Sequence, residues 1–205
     1  MNYTESLAYL DSLGKFGIKL GMERIEGLLR ELGNPEQKIK TVHVTGTNGK
    51  GSVTSMITNI LLAANLKVGK FTSPHLVKYN ERINLNGKDI SDEDFATAIT
   101  AVKVAADSVV KKGVCEQPTQ FEILTAAAFL YFYLQKVDYA VIEVGMGGLW
   151  DSTNVITPVV SVITNVALDH TDRCGKTLER IAMQKAGIIK EKVPLVTAAE
   201  GNEAL

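Results

Sequence analysis

The sequence predicts an α/β fold: a mostly parallel, wound sheet with helices on both faces and a phosphate-binding loop (P-loop). Three observations predict it. A short β-branched run, Thr41-Val42-His43-Val44-Thr45, passes directly into the glycine-rich turn Gly46-Thr47-Asn48-Gly49-Lys50-Gly51-Ser52 and then into a helix-compatible stretch. A second run, Tyr139-Ala140-Val141-Ile142-Glu143-Val144, is almost continuously apolar, as a strand covered on both faces must be. Strand-like and helix-like runs alternate along most of the chain, a pattern that puts ligands at the carboxyl ends of the strands.

Taken in order, residues 3–13 carry apolar side chains at helical spacing, and so do Met22, Ile25, Leu28, Leu29 and Leu32, stopped by Gly33-Asn34-Pro35. Residues 41–45 are the first strand, and residues 53–64 the helix after the glycine-rich turn. Residues 67–72 give a second strand. Residues 82–85, followed by Asn86-Gly87, suggest a small hairpin ahead of a long helix capped near Ser91. A further helix spans about residues 120–135, whose stretch from Ile123 to Leu134 is broken only by Thr125; it is too short for the roughly 20 residues a bilayer span requires and reads as a buried helix. Residues 139–144, 159–164 and 193–197 are strands, the last two separated by a helical stretch over 178–189.

Of the 205 residues, 45% are hydrophobic and 22% charged, enough for one ordinary domain that removes roughly 70% of its chain surface from water. The formal charge of −1 offers no basic face, which argues against nucleic acid or an anionic membrane as the main partner. Cys115 and Cys174 are the only cysteines and form no Cys-x-x-Cys spacing, so neither a disulfide framework nor a zinc site is implied, and a reducing, cytoplasmic setting fits. Glu5, Asp11 and Lys15 interrupt the apolar residues of the N-terminus, which does not resemble a signal peptide. No repeat, low-complexity segment or linker divides the chain.

The chemistry is concentrated in Thr47, Asn48, Gly49, Lys50, Gly51 and Ser52. Glycines let the backbone wrap a phosphate, the helix N-terminus adds partial positive charge, and Lys50 supplies a point charge for the β- and γ-phosphates, so a magnesium-bound nucleotide is expected. The match to G-x-x-x-x-G-K-[ST] is imperfect, with Val44 in place of its first glycine and Gly51 in place of its Ser/Thr. Glu143 ends a buried apolar strand, where an unpaired carboxylate is costly, and a cation is the economical partner. On residue type alone, His170 reads as a structural histidine, Ser73 before Pro74 as a turn residue, Lys185 as a snorkelling surface lysine, Phe121 as core, and residues 145–148 as a flexible loop. His43, in the strand entering the glycine-rich turn, reads as core, and His75 helps shape the Ser-Pro-His turn.

The loop spelling Gly-Thr-Asn-Gly-Lys-Gly-Ser resembles that of the folylpolyglutamate synthase and dihydrofolate synthase family of Mur-type ligases. So do Leu32-Gly33-Asn34-Pro35, Thr72-Ser73-Pro74-His75-Leu76 with Asn80-Glu81-Arg82, Glu143-Val144-Gly145-Met146-Gly147-Gly148 with Asp151-Ser152-Thr153-Asn154, Leu168-Asp169-His170-Thr171-Asp172, and Lys185-Ala186-Gly187-Ile188-Ile189, in the family's order. The resemblance runs from about residue 15 to about residue 197; Trp150, Ser152 and Cys174 depart from the commonest spelling without removing a charge the chemistry needs.

The resemblance implies ATP and magnesium, with Ser73, Glu143 and His170 as metal ligands, and Lys50, His170 and Lys185 in catalytic roles. By the same resemblance, Lys185 matches the lysine that is carbamylated in Mur-type ligases and helps hold a second magnesium. Residues 145–148 become the loop that closes over a pterin, and Leu20, Gly21, Met22, Thr119, Phe121, Glu122, Asp151 and Ser152 the pocket, with Phe121 stacking on the heterocycle and Asp151 accepting from its amino groups. The implied reaction forms an acyl phosphate on the carboxylate of dihydropteroate or a reduced folate, which the amine of L-glutamate displaces to leave an amide, ADP and phosphate. The family is about twice as long, so residues 1–205 are expected to be a single, C-terminally truncated domain without the glutamate-binding second domain, with an uncovered sheet edge that favours self-association and no turnover alone. A non-catalytic nucleotide-binding or regulatory module is the alternative. A ligase of cell-wall precursors is disfavoured by Gly51-Ser52 and the Ser-Pro-His turn.

Overall fold

The computed structural model describes residues 1–14, 17, 21–168 and 177–200. The chain opens with α1 (Tyr3–Leu13) and α2 (Glu23–Glu31). α1 starts at a reciprocal cap, in which Glu5 N donates to Asn2 Oδ1 at 2.9 Å and Asn2 N to the Glu5 carboxylate at 2.8 Å. β1 (Thr41–Thr45) leads through the glycine-rich turn into α3 (Lys50–Ala63), and β2 (Val68–Phe71) follows. The expected hairpin is β3 (Ile83–Leu85) and β4 (Lys88–Asp89); Asn86 and Gly87, both at positive φ, make its two-residue turn. α4 (Asp92–Lys111) begins at Ser91, whose hydroxyl accepts from Asp94 N, and α5 (Gln120–Leu134) is buried over most of its surface, as its composition implied. β5 (Tyr139–Glu143), β6 (Val160–Ile163), α6 (Leu178–Ala186) and β7 (Leu195–Thr197) complete the described elements. α6 ends at Ala186, three residues short of the expected 189, and its cap Gly187 packs against Leu149, where a Cβ would lie 2.4 Å from Leu149 Cα.

The strands form one sheet in the order β4-β3-β2-β5-β1-β6-β7. β2, β5, β1, β6 and β7 are parallel, and the hairpin adds two antiparallel strands beside β2. The register sets the site: Val44 lies opposite Glu143, and Phe71 opposite Ile142, so the turn after β1, the end of β5 and the segment after β2 converge.

One sheet face buries Val42, Val44, Val68, Val141 and Val162 under Val53, Ile57 and Leu61 of α3. On the other face, Phe71, Ala140 and Ile142 share a core with Leu10, Leu28, Phe95, Ile99, Phe129 and Phe132 from α1, α2, α4 and α5. A smaller cluster joins Val144, Ile163 and Val166 to Ile181 and Ile188. β7 lies at one edge of the sheet with Leu195 and Val196 exposed. No helix among the described residues is long and apolar enough to cross a membrane. Cys115 is a free thiol; Cys174 lies outside the described residues.

α5 packs closely on β2, and Gly69 makes that approach possible. A Cβ there would lie 2.6 Å from Phe132 Cδ1 and 2.8 Å from two more atoms of the ring. The fully buried ring has no room to retreat, so Gly69→Ala should lower the unfolding free energy by about 1–3 kcal/mol in a denaturant titration.

Candidate nucleotide and substrate site

The turn after β1 is fixed from outside. Gly46 has φ 154°, and a Cβ on it would fall 1.7 Å from Thr164 Oγ1, so only glycine fits beneath the segment that follows β6. That segment clamps the turn at several points. Thr164 Oγ1 donates to Asn48 O at 2.6 Å, Thr47 N to Asn165 O at 3.0 Å, Asn48 N to Asn165 Oδ1 at 2.9 Å, and Ala167 N to Thr47 Oγ1 at 2.9 Å. Thr47 and Asn48 are thereby occupied in shaping the loop. Gly49, at φ 80°, turns the chain into α3, and the N–H groups of Lys50, Gly51 and Ser52 are first-turn donors without an intrahelical carbonyl. The Lys50 ammonium folds back over the turn, donating to Gly46 O at 2.9 Å and Thr47 O at 3.1 Å.

Glu143, only 4% exposed, faces this turn from the end of β5. Burial raises its pKa, while the Ser73 N–H and the charges of Lys50 and Lys70 draw it back down. Ser73 N donates to Glu143 Oε2 at 3.2 Å, so Ser73 and Glu143 come together as the sequence expected. A Cβ on Gly51 would sit 3.7 Å from both carboxylate oxygens, which places the first turn of α3 directly against Glu143. A buried carboxylate, with the backbone of Ser73 against it and the first-turn N–H donors of α3 beside it, suits magnesium carried with a phosphate ester. His170 lies outside the described residues, and among those described no group of three or more His, Cys, Asp or Glu side chains gathers. His75 supports the segment after Ser73: its Nδ1 accepts from Arg82 Nε at 2.8 Å, and its ring lies 4.4 Å from that of Tyr79.

Lys185 is 4% exposed, which overturns its reading as a surface lysine. It sits in the last turn of α6, under the segment 145–149. That segment is packed, not loose: Leu149 N donates to Gln184 O at 2.7 Å, Thr45 Oγ1 to Gly147 O at 2.6 Å, and a Cβ on Gly148 would come 2.7 Å from Gln184 O. Asp151 holds it from within. Its Oδ2 accepts from Met146 N at 2.9 Å, and its Oδ1 from Thr153 N at 3.0 Å and Thr153 Oγ1 at 2.6 Å. Burial raises the Asp151 pKa against the pull of these donors. A substrate amino group would have to share an acceptor already engaged inside the segment.

The other expected pocket residues divide by role. Thr119 and Glu122 cap α5 reciprocally, and Glu122 pairs with Arg24 Nε at 3.1 Å, a buried ion pair that ties the start of α2 to the start of α5. Ser152 Oγ meets Thr125 Oγ1 on α5 at 2.9 Å. Phe121 is half-buried, tilted against Phe71 with ring centroids 5.9 Å apart, and a Cβ on Gly145 would lie 2.5 Å from its Cζ. Gly21 and Met22, at the start of α2, are also partly exposed; Leu20 lies outside the described residues. Sequence reasoning did not find Thr45, Arg24, Asn165 or Thr164. The Thr-x-x-Glu spacing of Thr119 and Glu122 did carry the signal of a helix cap.

The family model for the Mur ligase middle domain matches residues 44–200. The chain is 47% identical over 206 residues to the dihydrofolate synthase/folylpolyglutamate synthase of Bacillus subtilis, covering 99% of this chain and 47% of that protein. It is 47% identical to the folylpolyglutamate synthase of Lacticaseibacillus casei, over 96% of this chain and 46% of the relative. Among solved structures, the apo form of L. casei FPGS superposes with a TM-score of 0.93 at 46% identity, covering 98% of this chain and 49% of that one. E. coli FolC in complex with DHPP and ADP superposes with a TM-score of 0.87 at 34% identity, over 96% and 46%. The chain spans about half the length of the curated relatives it matches.

On β1, His43 is fully buried, with Nε2 2.9 Å from Thr153 Oγ1. Burial, reinforced by the positive charge of Lys190, lowers its pKa from 6.5 to about 3. An unfolded chain takes up a proton near pH 6.5 that the folded one refuses, so stability is intact above that pH and falls as pH drops toward 3. The slope contributed is up to about 1.4 kcal/mol per pH unit. Denaturant titrations across this window should show that slope in the difference between the wild type and His43→Gln, which does not titrate.

Proposed function

This chain belongs to the Mur ligase middle domain family, and from that premise we propose that it provides the ATP and pterin half-site of a ligase. The proposed enzyme joins the carboxylate of dihydropteroate or a reduced folate to L-glutamate in the cytoplasm. The observation that carries this reading is the meeting of a clamped phosphate loop with a buried carboxylate: Lys50 and the first turn of α3 on one side, Glu143 and Ser73 on the other.

The N–H groups of Lys50, Gly51 and Ser52 donate to phosphate oxygens, and the Lys50 ammonium exchanges the carbonyls of Gly46 and Thr47 for the γ-phosphoryl group. The clamp by Thr164, Asn165 and Ala167 holds the loop ready before the nucleotide arrives, so stabilising the charge that develops during transfer needs little rearrangement. Magnesium, when bound with the nucleotide, supplies a compact positive charge against the phosphate oxygens. Ser73, Glu143 and His170 are proposed to hold it. Lys185, buried under the segment 145–149, is the proposed site of carbamylation. Gly21, Met22 and Phe121 provide the apolar wall on which the pterin lies, and Asp151 with Ser152 keeps the opposite wall in place. The phosphorylated carboxylate is then open to the amine of glutamate.

Glutamate-dependent release of ADP by the full-length protein tests this reading. With dihydropteroate or a reduced folate, release should require all three substrates, and Lys50→Ala should lower ATP affinity by about 10- to 100-fold, the loss of one charge-assisted hydrogen-bonding group. Nucleotide binding with no glutamate-dependent turnover would instead favour a non-catalytic nucleotide-binding module.

A further inference from the structure

Strand β1 presents two different faces. Val42 and Val44 pack under α3, while His43 and Thr45, alternating with them, point to the other side and each meet the segment 145–153. Thr45 Oγ1 reaches Gly147 O, and His43 Nε2 reaches Thr153 Oγ1. The Thr153 hydroxyl has a single hydrogen, and the contact at 2.6 Å to Asp151 Oδ1 takes it, since a carboxylate can only accept. The hydrogen in the His43 contact must then come from the imidazole. Nδ1, buried and without a partner among the described residues, is left as a bare acceptor; a proton there would leave a buried N–H unpaired, the rarer and costlier arrangement.

We propose that His43, fixed as its Nε2–H tautomer, is a positioning residue: through Thr153 and Asp151 it ties the strand that enters the phosphate loop to the segment forming one wall of the substrate pocket. Asp151 completes the connection by holding Met146 N, two residues beyond Val144. A histidine suits this place because it spans from the sheet to the short 3-10 helix Ser152–Val155 with a directed N–H, which an aliphatic side chain of similar size cannot supply. The inference rests on the proposed pterin site for its functional consequence, and on hydrogen-bond geometry alone for the tautomer.

Two measurements on the full-length protein test it. Nitrogen-15 correlation spectra of the histidine rings should place the His43 proton on Nε2; a proton on Nδ1 overturns the proposal whatever the activity. In steady-state kinetics, Thr153→Val and His43→Leu should raise KM for the pteroate substrate about tenfold or more, with KM for ATP changed less than about threefold, and His43→Gln, which keeps an N–H near the Nε2 position, should restore most of the difference. Equal rises in both KM values, or no rise in Thr153→Val, overturn it, as does a failure of His43→Gln to rescue relative to His43→Leu. Should the wild type bind no pteroate in a calorimetric titration, the pterin reading falls and takes the positioning role with it, while the tautomer result stands apart.

Discussion

A carboxylate at the end of a fully covered strand is the constraint around which the rest of this site is arranged. Glu143 is carried inside by the apolar residues before it, Ala140, Val141 and Ile142, all with no exposure at all. A charge in that position needs compensation close by. The sheet provides it through register: β2 delivers Ser73 N–H to one oxygen, and β1 delivers the glycine-rich turn and the first turn of α3 beside the carboxylate. A Cβ added to Gly51 would itself meet the carboxylate only at ordinary contact distance, so the first turn of α3 stands beside Glu143 with room left between them.

The same strand order fastens the segment that follows β5. Residues 145–153 leave β5 and lie across the end of α6 and the polar side of β1, fastened at Gly147, Leu149, Met146 and Thr153. Gly148 and Gly187 permit contacts of backbone on backbone that any side chain would block. The phosphate loop is fastened in the same manner by residues 164–167 after β6. Both segments are thus anchored to β1 or to the loop it enters.

Local chemistry made much of this legible in the sequence. The β-branched run before Gly46, the apolar run before Glu143 and the Asn86-Gly87 turn each specify their conformation within a few residues, and the structure follows them with shifts of a residue or two at strand ends. What depended on distant partners was not legible. Lys185 looks like a surface lysine in its own helix, whose mean hydropathy is low; it is buried by a segment some forty residues earlier in the chain. His43 reads correctly as core, but its partner Thr153 lies 110 residues away. Thr119 and Glu122, expected as pocket residues from the resemblance, also form the reciprocal cap of α5, for which their Thr-x-x-Glu spacing is a local signal. The short 3-10 helices Pro35–Lys38, Tyr79–Arg82 and Ser152–Val155 carry turn-forming residues that fit several conformations, and tertiary contacts decide among them.

The central claim is that the buried Glu143 carboxylate belongs to a magnesium-nucleotide site. Calorimetric titration of the full-length protein with ATP, with and without magnesium, for the wild type and Glu143→Gln, addresses it most directly. The substitution keeps shape and removes charge, so the account predicts that magnesium strengthens ATP binding by about tenfold or more in the wild type and by less than about twofold in Glu143→Gln, with magnesium-free affinities similar in the two. An undiminished magnesium effect in Glu143→Gln would contradict it.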